Sequence, residues 1–148
     1  MTQVLAPVPG RVIALAEVPD PVFAGEMVGP GVAVEPTGEV VTAVSPIAGR
    51  LVKLHPHAYV VLGDGGLGVL VHLGIDTVRL EGRGFELLVA EGDTVAAGDP
   101  VVRWDPATVE DGMSKLVPVV VMDRPAGSVA APAADLVVAS GDPLFEAT

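Results

Sequence analysis

Short apolar runs alternate with glycine, proline and acidic residues along the whole chain. The runs are rich in Val, Ile and Leu and seldom exceed about seven residues, which is typical of strands in a β-sandwich or barrel. The candidate strands are residues 12–15, 31–34, 40–44, 51–54, 59–62, 69–73, 85–89, 101–104, 117–122, 135–139 and 144–146. One helical turn is predicted from Pro106, with Asp105 as its N-cap. The pattern predicts an all-β, antiparallel sandwich or barrel in a single domain, residues 1–148.

Two pairs of segments predict that a β-motif is duplicated within the chain. Residues 6–15 and 45–54 share the pattern Pro-x-x-Gly-Arg followed by an apolar run, at an offset of 39 residues. Residues 23–34 and 89–102 each combine an acidic or glycine turn, an apolar residue, a second glycine turn and a strand. Such internal repeats indicate a motif that buries its apolar face against a second copy.

Charge and composition exclude several classes of function. The chain has 8 basic and 19 acidic residues, a net charge of −11, which argues against binding nucleic acid or an anionic membrane surface. The acidity either serves solubility or favours a basic protein partner. Without cysteine there is no disulfide, thiolate metal site or cysteine nucleophile. The N-terminus shows no secretory signal and no apolar run approaches ~20 residues, so we expect a cytoplasmic protein without direct membrane insertion.

A predicted hairpin brings two of the three histidines together. Asp64-Gly65 is typical of a two-residue type I′ turn, whose central residues both need positive φ. With this tip, His57 and His72 face each other on adjacent antiparallel strands, where opposite Cβ atoms lie about 4.5–5.5 Å apart. One face of this hairpin is then wholly aliphatic and predicted to pack on the core. The other face carries the histidines and the residues Tyr59, Val61 and Leu70.

Two facing imidazoles without a cysteine nearby support a short list of chemistries. They could form part of a metal site, act as general acid and base, or offer a nucleophilic nitrogen to a phosphoryl group. A structural pair that only fills a half-exposed face is the alternative. The pattern of the hairpin alone leaves these interpretations open.

Several strings occur in order over nearly the whole chain and carry a likeness to a known family. They are Val18-Pro-Asp-Pro-Val-Phe-Ala, residues 27–38, Val44-Ser-Pro-Ile-Ala-Gly, His57-Ala-Tyr, residues 71–85, residues 91–99 and Leu116-Val-Pro-Val-Val. The most specific is His72-Leu-Gly-Ile-Asp-Thr-Val, with a second histidine fifteen residues earlier. Together these strings resemble the glucose-type IIA component of the bacterial phosphoenolpyruvate:sugar phosphotransferase system.

The resemblance implies a β-sandwich of duplicated hybrid motifs that acts as a phosphocarrier. The family's phosphorylated histidine falls on His72, and the imidazole that steadies the phosphoryl group falls on His57. The donor would be the histidine-containing phosphocarrier protein, and the acceptor a cysteine of a IIB domain of a sugar permease, at the inner face of the membrane. No cofactor is required in this scheme. We expect a monomer, and regulated enzymes are further candidate partners.

The resemblance also implies a docking surface beside the histidines. Its expected residues are Val22, Phe23, Tyr59, Leu70, Asp76 and Val78. Ordinary packing within the sandwich is the alternative for Val22, Phe23, Tyr59 and Leu70. Asp76 would orient an imidazole or contact a partner, and a capping or turn role is the alternative. His55 stands where the family usually has a threonine that hydrogen-bonds a catalytic ring. We therefore expect His55 either to replace that hydrogen-bond relay or to leave it absent.

A zinc site is the rival interpretation. His55-Pro-His57 and His72-Leu-Gly-Ile-Asp76 are the HxH and HxxxD patterns that lysostaphin-like zinc endopeptidases use. Two histidines and one aspartate would leave an open position on tetrahedral zinc, as catalysis needs. The two patterns are in the reverse order from that family, and the surrounding strings do not match it. A weaker version has no intrinsic metal, with zinc at His57 and His72 only when a partner supplies a third ligand.

Overall fold

Short antiparallel strands make up most of the regular secondary structure of the computed structural model, which describes residues 1–130, 132 and 134–148. The strands are β1 Thr2–Leu5, β2 Gly10–Ala14, β3 Gly31–Pro36, β4 Val41–Val44, β5 Gly49–His55, β6 Ala58–Leu62, β7 Gly68–His72, β8 Phe85–Leu87, β9 Thr94–Val95, β10 Pro100–Trp104, β11 Val117–Val121, β12 Val137–Val138 and β13 Pro143–Ala147. One α-helical turn, α1, spans Pro21–Ala24, and 3-10 turns span Leu15–Glu17, Asp64–Gly66, Thr77–Leu80 and Pro106–Thr108. Within the described ranges, no helix has the length and apolar character needed to cross a membrane.

The strands form three antiparallel sheets. Eight strands run in the order β12-β2-β3-β11-β7-β6-β5-β9, three in the order β4-β10-β8, and β1 pairs with β13. This architecture confirms the predicted all-β fold, and Asp105 caps the predicted turn by accepting a hydrogen bond from the backbone N–H of Ala107. Strands β1 and β9 were not predicted. Their four and two residues are too few to show a recognisable alternation.

Pairs of equivalent hydrogen bonds show that the chain contains a duplicated motif. The N–H of Leu5 donates to the carbonyl of Pro46 and the N–H of Val44 donates to the carbonyl of Pro7, each at 2.9 Å. These reciprocal bonds relate the two segments at the predicted offset of 39 residues, and β2 and β5 begin at equivalent positions. The first predicted repeat is therefore a structural one.

The second predicted repeat pairs with a different segment. Asp99 and Asp142 each accept from the backbone N–H of the alanine three residues earlier, at 2.8 Å in both cases. Strand β9 precedes the turn at Asp99 and pairs with β5, and strand β12 precedes the turn at Asp142 and pairs with β2. The two pairings have the same register relative to the first repeat. The counterpart of residues 89–102 is therefore the segment that contains Asp142. Residues 23–34 contain part of the α1 turn instead and lack this bond pattern.

The eight-stranded sheet has a large apolar cluster on one face and a smaller one on the other. The large cluster forms the core between the three sheets and is mostly aliphatic, with Trp104 and Tyr59 as its largest fully buried members. The smaller cluster joins Ile13, Ala33 and Val120 of three neighbouring strands to the segment that contains Leu15, Val18 and Phe23. This segment therefore covers part of the outer face of the sheet.

The hairpin of β6 and β7 has a register one residue away from the predicted one. Its loop is the three-residue turn Asp64–Gly66, closed by a hydrogen bond from the N–H of Gly63 to the carbonyl of Leu67 at 2.8 Å. Ala58, not His57, is therefore the residue opposite His72. Because side chains alternate between faces, this single residue exchanges the two faces of β6.

The exchange moves Tyr59 and Val61 from the predicted histidine face into the core. Both are fully buried, and the hydroxyl of Tyr59 donates to the carbonyl of Val44 at 2.7 Å. Val60 and Leu70, which pair across the hairpin, share the outer face with His72. Tyr59 is thus a core residue and not part of a docking surface.

Candidate functional site

His72 is the last residue of β7 and lies half-buried at the margin of the covered outer face. Its Nδ1 forms a short hydrogen bond with the carbonyl oxygen of Gly74. A carbonyl oxygen can only accept, so Nδ1 carries the proton of the neutral ring. The lone pair of the neutral ring therefore resides on Nε2, which is the nitrogen available to attack an electrophile.

Hydrogen bonds within the loop after β7, and to Ser114, hold this loop in place. The hydroxyl of Thr77, a fully buried residue, donates to the carbonyl of Leu73 at 2.7 Å. Ile75 exchanges two backbone hydrogen bonds with Ser114, at 2.8 and 3.2 Å. Gly74 has φ of +86°, and a Cβ at this position would lie 2.5 Å from Cγ2 of Thr77. Only glycine fits here, and its carbonyl is thereby aimed at His72.

His57 reaches His72 from the turn between β5 and β6, not from a facing strand position. The centroids of the two rings are 5.1 Å apart and their planes meet at 72°, an edge-on arrangement. The backbone N–H of Leu73 donates to the carbonyl of His57 at 2.7 Å, which ties this turn to the end of β7. The predicted meeting of the two imidazoles is therefore present, although the register that predicted it is not.

His55 lies on the far side of His57 and extends the group to three rings. The ring centroids of His55 and His57 are 5.8 Å apart, and their planes are inclined by only 21°. Over the described stretches of chain, no hydrogen bond joins the two rings. His55 is exposed, so the three rings run from the surface inward to His72.

Both inner imidazoles are neutral at pH 7. Burial, and after it the neighbouring rings of His72 and His55, lower the pKa of His57 from 6.5 to about 4. Burial also lowers the pKa of His72, against the Gly74 hydrogen bond and the charges of Asp20 and Asp76, which raise it. A neutral His72 keeps the lone pair on Nε2, and a neutral His57 keeps one N–H to donate.

The α1 turn supplies the wall of the site. Asp20 caps α1 by accepting a hydrogen bond from the backbone N–H of Val22 at 2.9 Å, and Pro21 occupies the first helical position. The ring of Phe23 meets the ring of His72 edge-on, with centroids 5.3 Å apart and planes at 60°. Phe23 is only 8% exposed, so it supports the His72 ring and offers little area to a partner.

The remaining predicted docking residues differ in how much they expose. Val22 and Val78 are 43% and 58% exposed, and Leu70 is half-buried on the outer face. Asp76 is exposed and adopts a left-handed backbone with φ of 63° at the start of the Thr77–Leu80 turn. Its carboxylate does not cap that turn, so its effect on the site is through its charge near His72.

The four residues of the predicted zinc set do not converge. Among residues 1–130, 132 and 134–148, no group of three or more His, Asp or Glu side chains is arranged to hold a metal ion. The rings of His55 and His57 are stacked, with centroids 5.8 Å apart. The structure therefore gives the endopeptidase interpretation no support, and zinc completed by a partner's ligand stays a prediction.

Two residues of the site were not singled out from the sequence as site residues. Asp20 has a recognisable signal, because an aspartate followed by proline is typical of an N-cap and a first helical position. Gly74 has no recognisable signal in the sequence, because its role depends on Thr77 and Ser114, which lie close to it only in the folded chain.

The chain is similar to known proteins of one family. The family profile described as "phosphoenolpyruvate-dependent sugar phosphotransferase system, EIIA 1" matches residues 2–126. A glucose-specific EIIA component of Staphylococcus aureus (strain Mu50) is 50% identical over 105 residues, 69% of this chain and 61% of that protein. The matched segment thus spans less than two thirds of that relative. The corresponding Oceanobacillus iheyensis protein is 45% identical over 122 residues, 80% of this chain and 72% of that protein.

A solved structure shows the same fold. The structure titled glucose permease IIA from Mycoplasma capricolum superposes with a TM-score of 0.86 at 33% sequence identity. The superposition covers 97% of this chain and 93% of that one. The likeness therefore extends over nearly the whole chain.

Proposed function

The chain belongs to the EIIA 1 family of the phosphoenolpyruvate-dependent sugar phosphotransferase system, and on that premise we propose that it carries a phosphoryl group on Nε2 of His72. The observation that carries the proposal is the hydrogen bond from Nδ1 of His72 to the carbonyl of Gly74, beside the ring of His57. This bond selects the tautomer whose Nε2 lone pair is free.

The transfer consists of two displacements at phosphorus. Nε2 of His72 attacks the phosphorus of the phosphorylated histidine-containing phosphocarrier protein. A P–N bond forms on His72 as the donor's P–N bond breaks, and the electron pair returns to the donor imidazole. A cysteine thiolate of a IIB domain then attacks the same phosphorus, and the electron pair of the second P–N bond returns to Nε2. No cofactor takes part, because both steps need only positioning and charge stabilisation.

His57 has the properties of the group that steadies the phosphoryl oxygens. It is neutral at pH 7, and its ring lies against His72 with an N–H to donate. A hydrogen bond from an N–H to a charged phosphoryl oxygen is among the stronger ones in proteins. Phe23, whose buried ring packs edge-on against His72, limits the access of water to that ring.

The surface around the site suits partners that are apolar at the centre and basic at the rim. Val22 and Val78 expose apolar area, and Asp20 and Asp76 place negative charge next to His72. A chain of net charge −11 also steers basic partners toward it. We propose that the phosphocarrier protein, the IIB domain and regulated enzymes use this surface in turn, in the cytoplasm.

Intact-mass spectrometry under neutral or alkaline conditions tests the proposal. The protein is incubated with phosphoenolpyruvate, enzyme I and the histidine-containing phosphocarrier protein, in parallel with His72→Ala and His57→Ala. We expect one acid-labile phosphoryl group on the wild type and none on His72→Ala. His57→Ala should still accept the group but fail to pass it to a IIB domain. No mass increase with demonstrably active upstream proteins would refute the phosphocarrier role.

A further inference from the structure

The two inner rings of the site are held in place by different means. His72 is oriented by the hydrogen bond to Gly74 and by the edge of Phe23. His57 has no such restraint, because in the described part of the chain neither of its ring nitrogens forms a hydrogen bond with a protein group. Packing alone therefore determines the orientation of the His57 ring.

The ring that packs on His57 from the solvent side is His55. A centroid separation of 5.8 Å with planes inclined by 21° lies within the range of offset stacking between aromatic rings. On its other side, His57 meets the edge of His72 at 5.1 Å. The ring of His57 thus lies between a parallel ring and a perpendicular one, and loss of the parallel ring would leave it free to turn toward water.

The backbone of this turn is already anchored, which leaves the side chain as the mobile part. His55 closes β5 by pairing with Ala58, and the carbonyl of His57 accepts the hydrogen bond from Leu73. Pro56, between the two histidines, restricts its own φ to about −65°. These contacts fix the backbone positions from which the two side chains extend. The two rings can therefore stack with little further loss of conformational entropy.

We propose that His55 is a positioning residue that holds the ring of His57, by stacking, at the angle at which His57 meets His72. The inference rests on the proposed phosphocarrier function and assigns His55 a role through its ring face. It does not require a hydrogen bond from His55 to His57. His55 itself does not touch His72, so its effect on phosphoryl transfer is indirect.

Three substitutions separate stacking from hydrogen bonding. His55→Phe keeps an aromatic face without nitrogen, His55→Gln keeps polar atoms without a ring, and His55→Ala removes both. Lys53→Ala is the matched control, since Lys53 is exposed on the same strand two residues earlier. The rate of onward transfer from the phosphorylated protein to a IIB domain is measured for each. We expect His55→Ala and His55→Gln to slow it by roughly 2- to 10-fold, the span that one ring stack implies for a rate.

The transfer rates of His55→Phe and Lys53→Ala should remain within about twofold of the wild-type rate. His55→Phe keeps a ring that can stack on His57, and Lys53 is not part of the stack. Wild-type rates in all three His55 variants would overturn the proposal. So would a wild-type rate in His55→Gln combined with a slow His55→Phe, because that result would assign a hydrogen-bond relay instead.

An NMR measurement on the unphosphorylated protein keeps this test separate from the phosphocarrier role. We expect the ring signals of His57 to broaden in His55→Ala and His55→Gln but not in His55→Phe, while those of His72 stay sharp. If the wild type accepted no phosphoryl group, these spectra would still show whether His55 orders His57. Unchanged His57 signals in His55→Ala would refute the positioning role even where phosphoryl transfer is intact.

Discussion

The two faces of the eight-stranded sheet are built from alternate residues of the same strands, but they differ in burial and in the kinds of residue they carry. On the inner face of the β6–β7 hairpin, Tyr59, Val61, Val69 and Val71 are all 0% exposed and belong to the large core. On the outer face, Val60, Leu70 and His72 are half-buried, and Leu62 is 42% exposed. Each strand of the hairpin therefore supplies core packing with one set of residues, and the alternate set includes His72 of the candidate site.

The candidate site lies where the apolar cover of the outer face ends. The segment with Leu15, Val18 and Phe23 covers the outer surface of β2, β3 and β11, and the ring of Phe23 stops against His72. His72 is thus buried enough to stay neutral and open enough to be reached. A fully covered face could not receive a partner, and an uncovered one would not lower the pKa of the ring.

Replacing Phe23 should have the largest effect. Phe23→Ala removes a buried ring from the smaller cluster, and we expect the free energy of unfolding in urea to fall by about 3–5 kcal/mol. Val22→Ala is the control, because Val22 is 43% exposed and should change stability by less than about 0.5 kcal/mol. Equal losses in the two variants would contradict the assignment of Phe23 to the cover and Val22 to the surface.

Gly74→Ala should come next. The added Cβ would meet Cγ2 of Thr77 at 2.5 Å and the carbonyl of Ser114 at 2.8 Å, on a left-handed backbone. We expect a loss of about 3 kcal/mol in urea denaturation, together with slower phosphoryl acceptance by a displaced His72.

Gly65→Ala is the control for that variant. Gly65 has a similar positive φ of 68°, but no atom lies within 4 Å of the added Cβ. The free energy of unfolding should therefore fall by only about 1–2 kcal/mol, and the rate of phosphoryl acceptance should not change. A Gly74→Ala protein as stable and active as the Gly65→Ala protein would show that the loop does not orient His72.

Acidification should destabilise the outer face by a smaller amount. His57 takes up a proton near pH 6.5 in the unfolded chain but only near pH 4 in the folded one. The unfolded state therefore binds more protons in this window, and the stability present above pH 6.5 is lost as the pH falls toward 4. Urea titrations at several pH values should show a shallower dependence in His57→Asn. Water screens this half-buried ring, so the effect should be well below that of Gly74→Ala.

The smallest effect is expected on the inner face. Tyr59→Phe keeps the buried ring but removes the hydroxyl that donates to the carbonyl of Val44. We expect a loss of about 1 kcal/mol in urea denaturation and no change in phosphoryl transfer. Leu70→Ala, on the outer face, should instead weaken binding of the phosphocarrier protein, measured by calorimetry. Weaker binding of the phosphocarrier protein by Tyr59→Phe would contradict the assignment of Tyr59 to the core.

The sequence by itself determined the class of the fold and the family, and it predicted which histidines form the site. Apolar runs of period two, broken by glycine and proline, are enough to predict most strands, because that alternation is a local property. The strings around His57 and His72 were enough to indicate the family, and the repeat at an offset of 39 residues reappears as the reciprocal bonds of Pro7 and Pro46.

Only the tertiary structure decided which face each residue of the hairpin occupies. Glycines 63, 65, 66 and 68 allow turns of two or three residues, so the local sequence does not select the register. Packing of Tyr59 and Val61 against the other sheets selects the three-residue loop, and the alternation of side chains then places Leu70 and His72 outside. The same holds for Gly74, whose role arises from Thr77 and Ser114. Register and close approach are non-local quantities, because they depend on which segments meet in the folded chain.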